Sequence, residues 1–337
     1  MSIILILTHA KDASAGLVIP YFIQNNMDFV RFNTEDFQKV IKFKVNLNPA
    51  GQLKAYYQFS DRNLNFDDIG VVWNRRPHKP ELGSELDYEP ALKEWAEEES
   101  WWGLNASLSL IKASIVNPWE ANERLKFNKW LEMERAASLG FEIPSSIMTN
   151  EPDSIRDFWE ETNRQMVFKK IRQGLFFMKD GKRFVLHTSN VPEDKMTDEF
   201  IDRMRFCPVF LQQNIKKKYD IRVIVIGERV LSFAIHSQNV KEGITDYRTA
   251  ALLGKIDQMR HELVDLGEDI NAKLITFVKS FGLSFSAIDL IETPDGRLIF
   301  LEDNPNGQWA WLEQKTGVKI SKVFAEFFMR KIKLDWQ

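Results

Sequence analysis

Two acids near the C-terminal end of the chain stand in apolar surroundings. Asp289 sits in Ser286-Ala287-Ile288-Asp289-Leu290-Ile291, and Glu302 in Leu298-Ile299-Phe300-Leu301-Glu302-Asp303-Asn304. Pro294-Asp295-Gly296 lies between the two runs and is a hairpin signal. Folding across that turn brings both carboxylates to one region of a sheet. An ionised carboxylate in an apolar strand is costly unless it is paired or holds a cation. Two acids and the Asn304 amide oxygen make a hard-oxygen set suited to Mg²⁺, which fills its remaining positions with phosphate oxygens and water. The same acids serve equally well as cross-strand partners of lysines, and the pattern leaves both readings open.

Basic residues fall where they could meet such a pair. Lys129 lies in a helical run, Lys169 and Lys170 close a strand over 166–170, and Arg222 lies in another over 221–226. A single lysine is more often solvated than functional. A ring of cations around a carboxylate–metal site suits a polyphosphate and its in-line transfer. Neither the GxxxxGK[ST] loop, nor a GxGxxG run after a strand, nor the kinase catalytic loop is present, so a phosphate site here is not of those kinds. His236, at the edge of an apolar strand, reads as a structural histidine before it reads as a proton acceptor.

The bulk properties narrow the classes. In 337 residues the hydrophobic fraction is 44% and the charged fraction 28%, ordinary for a globular protein with more than one unit. A formal net charge of -3 argues against non-specific binding to nucleic acid or to anionic membranes. Lys216, Lys217 and Lys218 form a local basic cluster. The single cysteine, Cys207, excludes an intrachain disulfide and zinc sites built from several cysteines. The apolar start over 3–7 is too short for a membrane helix and lacks a basic n-region, so the cytoplasm is the expected address. Trp95, Trp101 and Trp102 share a helical pattern and read as packing residues.

The elements that must position these groups fall into three segments, 1–115, 116–207 and 208–337. The first alternates strands over 3–7, 28–32 and 69–73 with helices over 15–24 (broken by Pro20) and 85–111, the signature of a parallel α/β unit. The second holds a helix over 120–139 stopped by Gly140, a short helix over 153–161, the strand ending in Lys169-Lys170, and a hairpin of 176–178 with 183–187 around Asp180-Gly181. The third holds a strand over 209–214, hairpins of 221–226 with 229–235 and of 285–292 with 297–303, a helix over 257–281 and a terminal helix over 318–332.

Five strings together resemble the ATP-grasp superfamily: Val72-Trp73-Asn74-Arg75-Arg76-Pro77; Asn128-Lys129 through Gly140-Phe141-Glu142-Ile143-Pro144; Gln212-Gln213-Asn214-Ile215 through Asp220-Ile221-Arg222; Asp246-Tyr247-Arg248; and Leu301-Glu302-Asp303-Asn304-Pro305-Asn306-Gly307-Gln308-Trp309. Within it they resemble the ligases that install side-chain crosslinks in microviridin-type peptides, the graspetides, with ribosomal-protein S6 glutamate ligases as more distant relatives. The resemblance covers nearly the whole chain. It implies an α/β (α+β) ATP-grasp fold with a Rossmann-like N-terminal domain, a central lid domain and a C-terminal ATP-grasp domain. It implies ATP and Mg²⁺ as cofactors, and activation of Asp or Glu side chains of a ribosomal precursor peptide as acyl phosphates. Attack by Thr or Ser hydroxyls, or Lys amines, then gives macrocyclic ω-esters or ω-amides.

The same resemblance implies roles. Lys129 and Lys169 hold ATP phosphates. Gln212, Gln213, Asn214 and Ile215 form the adenine-reading hinge, with Gln213 where Glu is common. Asp289, Glu302 and Asn304 hold Mg²⁺. Arg222, Arg248 and Asp220 are the catalytic set. Apart from the resemblance, an enzyme acting on several core sites must tether its peptide. The hairpin with Lys182 and Arg183 is a candidate dock for an acidic leader, a plain solvated hairpin being an equal reading, with the loop of Arg75 and Arg76 the next candidate for contacting the peptide core. The stretch after Lys169, Ile171-Arg172-Gln173-Gly174-Leu175, departs from the glycine-rich phosphate cover common in these enzymes. The partner is a precursor peptide, with neither nucleic acid nor membrane, and a homodimer stays open. A ligase for a small amino acid or a protein C-terminus would need the same phosphate and metal residues. A non-catalytic nucleotide-binding regulator fits less well, because the polar set is complete.

Overall fold

A computed structural model describes residues 2–83, 89–126, 128–171, 175–178, 181, 183–185 and 188–334. The chain forms two compact units. One comprises Met1–Asn122, Phe281–Phe285 and Asn306–Gln337, and the other Glu123–Ser280 and Ser286–Pro305.

In the first unit the opening run forms the strand Ile3–Thr8, buried along its whole length. Burial on both faces explains why it reads as continuously apolar rather than alternating. It pairs in parallel with Phe29–Asn33 on one side and with Ile69–Asn74 on the other, and Ser114–Val116 completes the order. Leu5, Leu7, Phe32, Tyr57, Val72 and Leu104 share one core. On Trp73, the rings of Phe324 and Phe328 pack at 5.4 and 5.2 Å.

Three expectations for this unit change. The helix Ala13–Gln24 runs through Pro20 without a break, because Val18 and Phe22 pack to full burial around it. An antiparallel sheet of Lys42–Leu47, Leu53–Gln58 and Asn63–Asn65 was not foreseen. Its first strand is exposed throughout, which leaves the sequence little apolar alternation to read. On the helix Pro90–Leu108, Trp101 packs on Trp119, but Trp95 and Trp102 are 62% and 64% exposed and are not core residues.

The second unit is built on a five-stranded sheet. Its order is His261–Val264, Arg229–Ile235, Tyr219–Ile226, Phe285–Glu292 and Leu298–Glu302. A second sheet orders Ser189–Asn190, Met166–Lys169, Val209–Gln213 and Ser146–Thr149, and Leu175–Phe177 pairs with Arg183–Val185. The expected helix over 257–281 is instead the strand His261–Val264 followed by the helix Glu268–Ser280, because 261–264 finds its backbone partners on 232–235. The expected helix over 120–139 is two helices, Trp119–Leu125 and Lys129–Ser138. The second starts where the Asn128 side chain accepts from Leu131 N, and Gly140, at φ +82°, follows its end. No helix among the described residues is long and apolar enough to cross a membrane.

Candidate active site

The last hairpin pairs Asp289 directly with Glu302, and the register shifts between Asp289 and Leu290. Both side chains are nearly buried, at 10% and 13% exposed. Asp289 Oδ1 accepts from Arg222 Nη1 at 2.8 Å, across from the neighbouring strand Tyr219–Ile226. Glu302 accepts from Lys129 Nζ and, at 2.5 Å, from Arg248 Nη1, which also lies 3.7 Å from Asp289 Oδ2. Burial alone raises both acids. For Glu302, Lys129, Arg248 and Lys169 overcome that effect and hold it well below the usual carboxylate range. For Asp289 burial prevails over Arg222 and Arg248, and the group is raised.

Beside this pair lies a cavity of ≈430 Å³. Lys129, Lys169, Lys170, Arg248, Asp246 and Glu302 supply its polar wall, with Thr188, Ala251 and Leu252 completing it. Lys129 enters from the first turn of its helix and Lys169 from the end of Met166–Lys169. Strand alternation would send Lys169 and Lys170 to opposite faces, yet both line the cavity, because the strand ends at Lys169. Burial among cations pushes Lys169 down to about 8. Lys129 goes the other way: burial opposes its charge, but Glu302 and Glu132 outweigh burial and raise it.

Arg248 is aimed by a residue the sequence reading left without a role. Asp246 caps the helix Tyr247–Leu252 through Arg248 N and grips the guanidinium at Nε (2.8 Å) and Nη2 (2.9 Å). The signal was present in Asp246-Tyr247-Arg248, since an N-capping Asp can also reach a side chain two residues on. A second missed group lies one turn along the helix from Lys129. Glu132 accepts from Asp303 N at 2.9 Å, and Asp303 accepts from Ser286 Oγ. Burial and Asp303 raise Glu132 to about 8, and burial raises Asp303 to about 7.

Other expected site residues are placed as follows. Asp220 is buried and bound by Lys217 Nζ at 2.8 Å to each oxygen and by Ser237 Oγ at 2.5 Å; Lys217 also reaches Thr245 O. This cluster joins Asp220 to the loop that leads to Asp246, and Lys217 is not part of a solvated basic patch. Gln212 is buried, its side chain bonded to Ser146 Oγ at 2.9 Å. Gln213 N and Asn214 N are committed to Ser145 O and Gln165 O. Asn304 is exposed and exchanges backbone hydrogen bonds with Ala287. His236 pairs with Glu262 at 2.8 Å.

Arg75 and Arg76 belong to the first unit and part company there. Arg75 is fully buried, bonded to Asn306 O, Gly307 O, Ser14 Oγ and Gln308 Oε1. Arg76 is half-buried. Lys182 lies outside the described residues, as do Lys179, Asp180 and 172–174; Arg183 is placed by its backbone, opposite Phe177.

Among the described residues no group of three or more His, Cys, Asp or Glu gathers as a metal site. Two paired carboxylates beside a lysine-lined cavity fit Mg²⁺ delivered with a nucleotide, since that ion takes one or two protein carboxylates and draws its other oxygens from phosphate and water. Residues 127–328 match the family described as the RimK-like ATP-grasp domain. The chain belongs to that family and is an ADP-forming carboxylate ligase.

Residues 3–123 of the ligase match the MvdD pre-ATP grasp domain. A probable alpha-L-glutamate ligase of Shewanella loihica is 23% identical over 242 residues, 68% of this chain and 75% of its own. The fold of the ligase matches a RiPP-associated ATP-grasp ligase of Chryseobacterium gregarium, solved with ADP and a leader and core peptide, at a TM-score of 0.89. That match has 28% identity and covers 98% of this chain and 97% of the other. It also matches the macrocyclase MdnC of Microcystis aeruginosa, bound with the precursor peptide MdnA, at a TM-score of 0.82 and 26% identity over 98% and 99% of the chains.

Proposed function

We propose that the ligase joins Asp or Glu side chains of a ribosomally made precursor peptide to Thr or Ser hydroxyls, or Lys amines, of the same peptide. The observation that carries this reading is likeness along the whole chain, at 28% identity, to a ligase held with ADP, a leader and a core peptide. In it the segments 1–115, 116–207 and 208–337 serve as pre-ATP-grasp, lid and ATP-grasp parts.

A carboxylate is a poor electrophile, and ATP with Mg²⁺ supplies the phosphoryl group that turns its oxygen into a leaving group. The chain's own residues do the rest. Lys129 and Lys169 hold phosphate oxygens, and Lys170 shares the wall. Asp289 and Glu302, with Asn304 two residues on, hold the metal. The Ile215 N–H, which has no partner among the described residues, is the hinge amide left for adenine. Arg222 and Arg248, fixed by Asp289 and Asp246, face charge that develops on the transferring group. The peptide carboxylate oxygen bonds to γ-phosphorus as ADP leaves. The hydroxyl or amine then attacks the carbonyl carbon, phosphate leaves, and the peptide is lighter by one water per crosslink. An ester is the favoured product. Water must be kept out for the second step to win.

Mass spectrometry of a precursor co-expressed with the ligase tests this directly, with loss of one water per bond expected. An unchanged mass sinks the reading. A gain of glutamyl units turns it to the amino-acid ligase activity that the name of the Shewanella relative carries.

A further inference from the structure

The parallel sheet of the first unit reverses at its first strand. From Ile3–Thr8 the chain goes outward to Phe29–Asn33, then returns and lays Ile69–Asn74 along the other side. Where an open parallel sheet reverses, the loops leaving the two strand ends diverge and leave a crevice, the place where such sheets bind ligands. Here those loops start at His9 and at Arg75.

Hydrogen bonds tie the loops into a frame. Arg31 Nη2 donates to the carbonyls of His9 (2.9 Å) and Ala10 (3.0 Å), and Glu35 Oε1 accepts from Ala10 N (2.7 Å). Thr34 Oγ1 bonds both the N–H and the C=O of His78, each at 2.7 Å. The frame sets the His9 and His78 rings face to face, with centroids 4.1 Å apart and planes within 8°. Hydrophobic burial does not account for the stack, since His9 is half-buried and His78 exposed.

The charges nearby are unequal in their freedom. Asp12 is taken up by Thr8 Oγ1, by Ser14 N and by Arg75 Nε at 3.4 Å, and Glu35 by the Ala10 amide. Arg76 acts on His9 electrostatically, yet among the described residues its guanidinium has no hydrogen bond or ion pair. Lys11 is exposed on the same loop. Asp12 is spent on the frame, and Glu35 through Oε1 alone, its Oε2 being buried without a hydrogen-bond partner, while among the described residues the Arg76 guanidinium and the two imidazoles have no hydrogen bond.

We propose that His9, His78 and Arg76 form a second binding site, which takes a carboxylate side chain of the acidic peptide substrate. The proposal rests on the peptide reading above and deepens it. The guanidinium fork matches a carboxylate in two parallel hydrogen bonds, and the imidazole edges add N–H donors. Burial, His78 and Arg76 hold the His9 imidazole below its ordinary value against the pull of Asp12 and Glu35, which favours its neutral form until an anion arrives. The anion reverses that balance. Binding takes up protons, and affinity rises as pH falls toward the ordinary imidazole range. Holding one acidic side chain of a peptide leaves its neighbours free to react.

The test follows the imidazole signals by NMR in histidine-labelled full-length protein, which has five histidines. The probes are a short synthetic peptide of alternating Glu and Thr, its twin with Gln for Glu, and inorganic phosphate. The expected result is that the Glu peptide raises the titration points of His9 and His78 and leaves His236 unmoved, while the Gln twin does nothing. His78→Gln and Arg76→Gln should each weaken Glu-peptide binding by about fivefold with an unchanged melting transition. Silent histidines, an equal response to both peptides, or the same shifts from phosphate at equal concentration would overturn the site. Wild-type protein that closes crosslinks while His9 and His78 stay silent removes this proposal alone. Histidines that respond in a protein that closes none keep the site and remove the crosslinking reading.

Discussion

The cavity of the second unit and the crevice of the first handle charge in opposite ways. Among the described residues the cations that line the cavity, other than the lysines of one strand end, are already gripped by carboxylates, Lys129 and Arg248 by Glu302 and Arg248 again by Asp246, and beside it Arg222 is held by Asp289. Such a wall costs little to keep folded, and it is set in direction before a polyanion arrives. In the crevice Asp12 and one oxygen of Glu35 belong to the frame, and the stacked imidazoles and the Arg76 guanidinium have no hydrogen bond among the described residues. The first arrangement suits a strongly charged ligand delivered with its own metal, and the second a single weak anion. Chemistry needs preorganised dipoles, whereas grip on a moving peptide needs only a modest hold.

Removing the acid at the centre of the cavity should have the largest effect. Glu302→Gln takes away the partner of two cations and a metal ligand, and ATP turnover should drop by about 10³-fold or more with the fold intact. Near-normal turnover in a purified, folded variant would break the contrast drawn here. Next comes Arg75, the buried neighbour of Arg76. Arg75→Lys cannot reproduce the fork that holds 306–308 and Asp12, and should cost about 3 kcal/mol in denaturant unfolding. Arg76→Lys should shift the same curve by under about 0.5 kcal/mol.

Lys169 gives a smaller, pH-dependent effect. Its charged form binds phosphate, and with a value near 8 in the free protein that form is lost as pH rises through 8. Nucleotide affinity, measured by calorimetry, should fall up to about tenfold between about pH 7 and pH 9. Lys169→Arg should flatten the curve, and an equal slope in both proteins would show that Lys169 does not touch phosphate. The smallest effect concerns Glu132. Its folded value is raised to about 8, so the folded state binds more protons than the unfolded, and stability declines as pH rises from the ordinary Glu value toward 8. Glu132→Gln removes that decline, and a stability–pH profile as steep as the wild type's would disprove the raised value.

The residues that could be read early were those whose partner lies close along the chain. The Asp295-Gly296 turn pairs the two runs, Leu290 with Phe300 and Ile291 with Ile299, and a register shift beyond Leu290 then sets Asp289 opposite Glu302, so the hairpin was legible and the direct pairing of the acids was not. The same logic located the hairpin of Tyr219–Ile226 with Arg229–Ile235. It failed for His261–Val264, whose partner strand ends 26 residues earlier and whose local sequence continues smoothly into a helix. It failed also for the sheet of 42–65, whose first strand is exposed throughout and whose other two bury only Tyr57 and Leu64, too few positions to show an alternation.

What the sequence settled by itself is the chemistry available: paired acids in apolar strands, lysines at strand and helix ends, no Walker loop, and a family likeness strong enough to name the reaction class. Tertiary structure decided which of two like neighbours does what. Arg75 and Arg76 are adjacent and identical in type, yet one is sealed among 306–308 and the guanidinium of the other has no hydrogen bond or ion pair among the described residues. Lys169 and Lys170 share one wall although alternation would separate them. Histidines 9 and 78 stand far apart along the chain, and their stacking follows only from where two parallel strands end. Such assignments depend on desolvation and on partners from distant segments, and a one-dimensional pattern carries neither quantity.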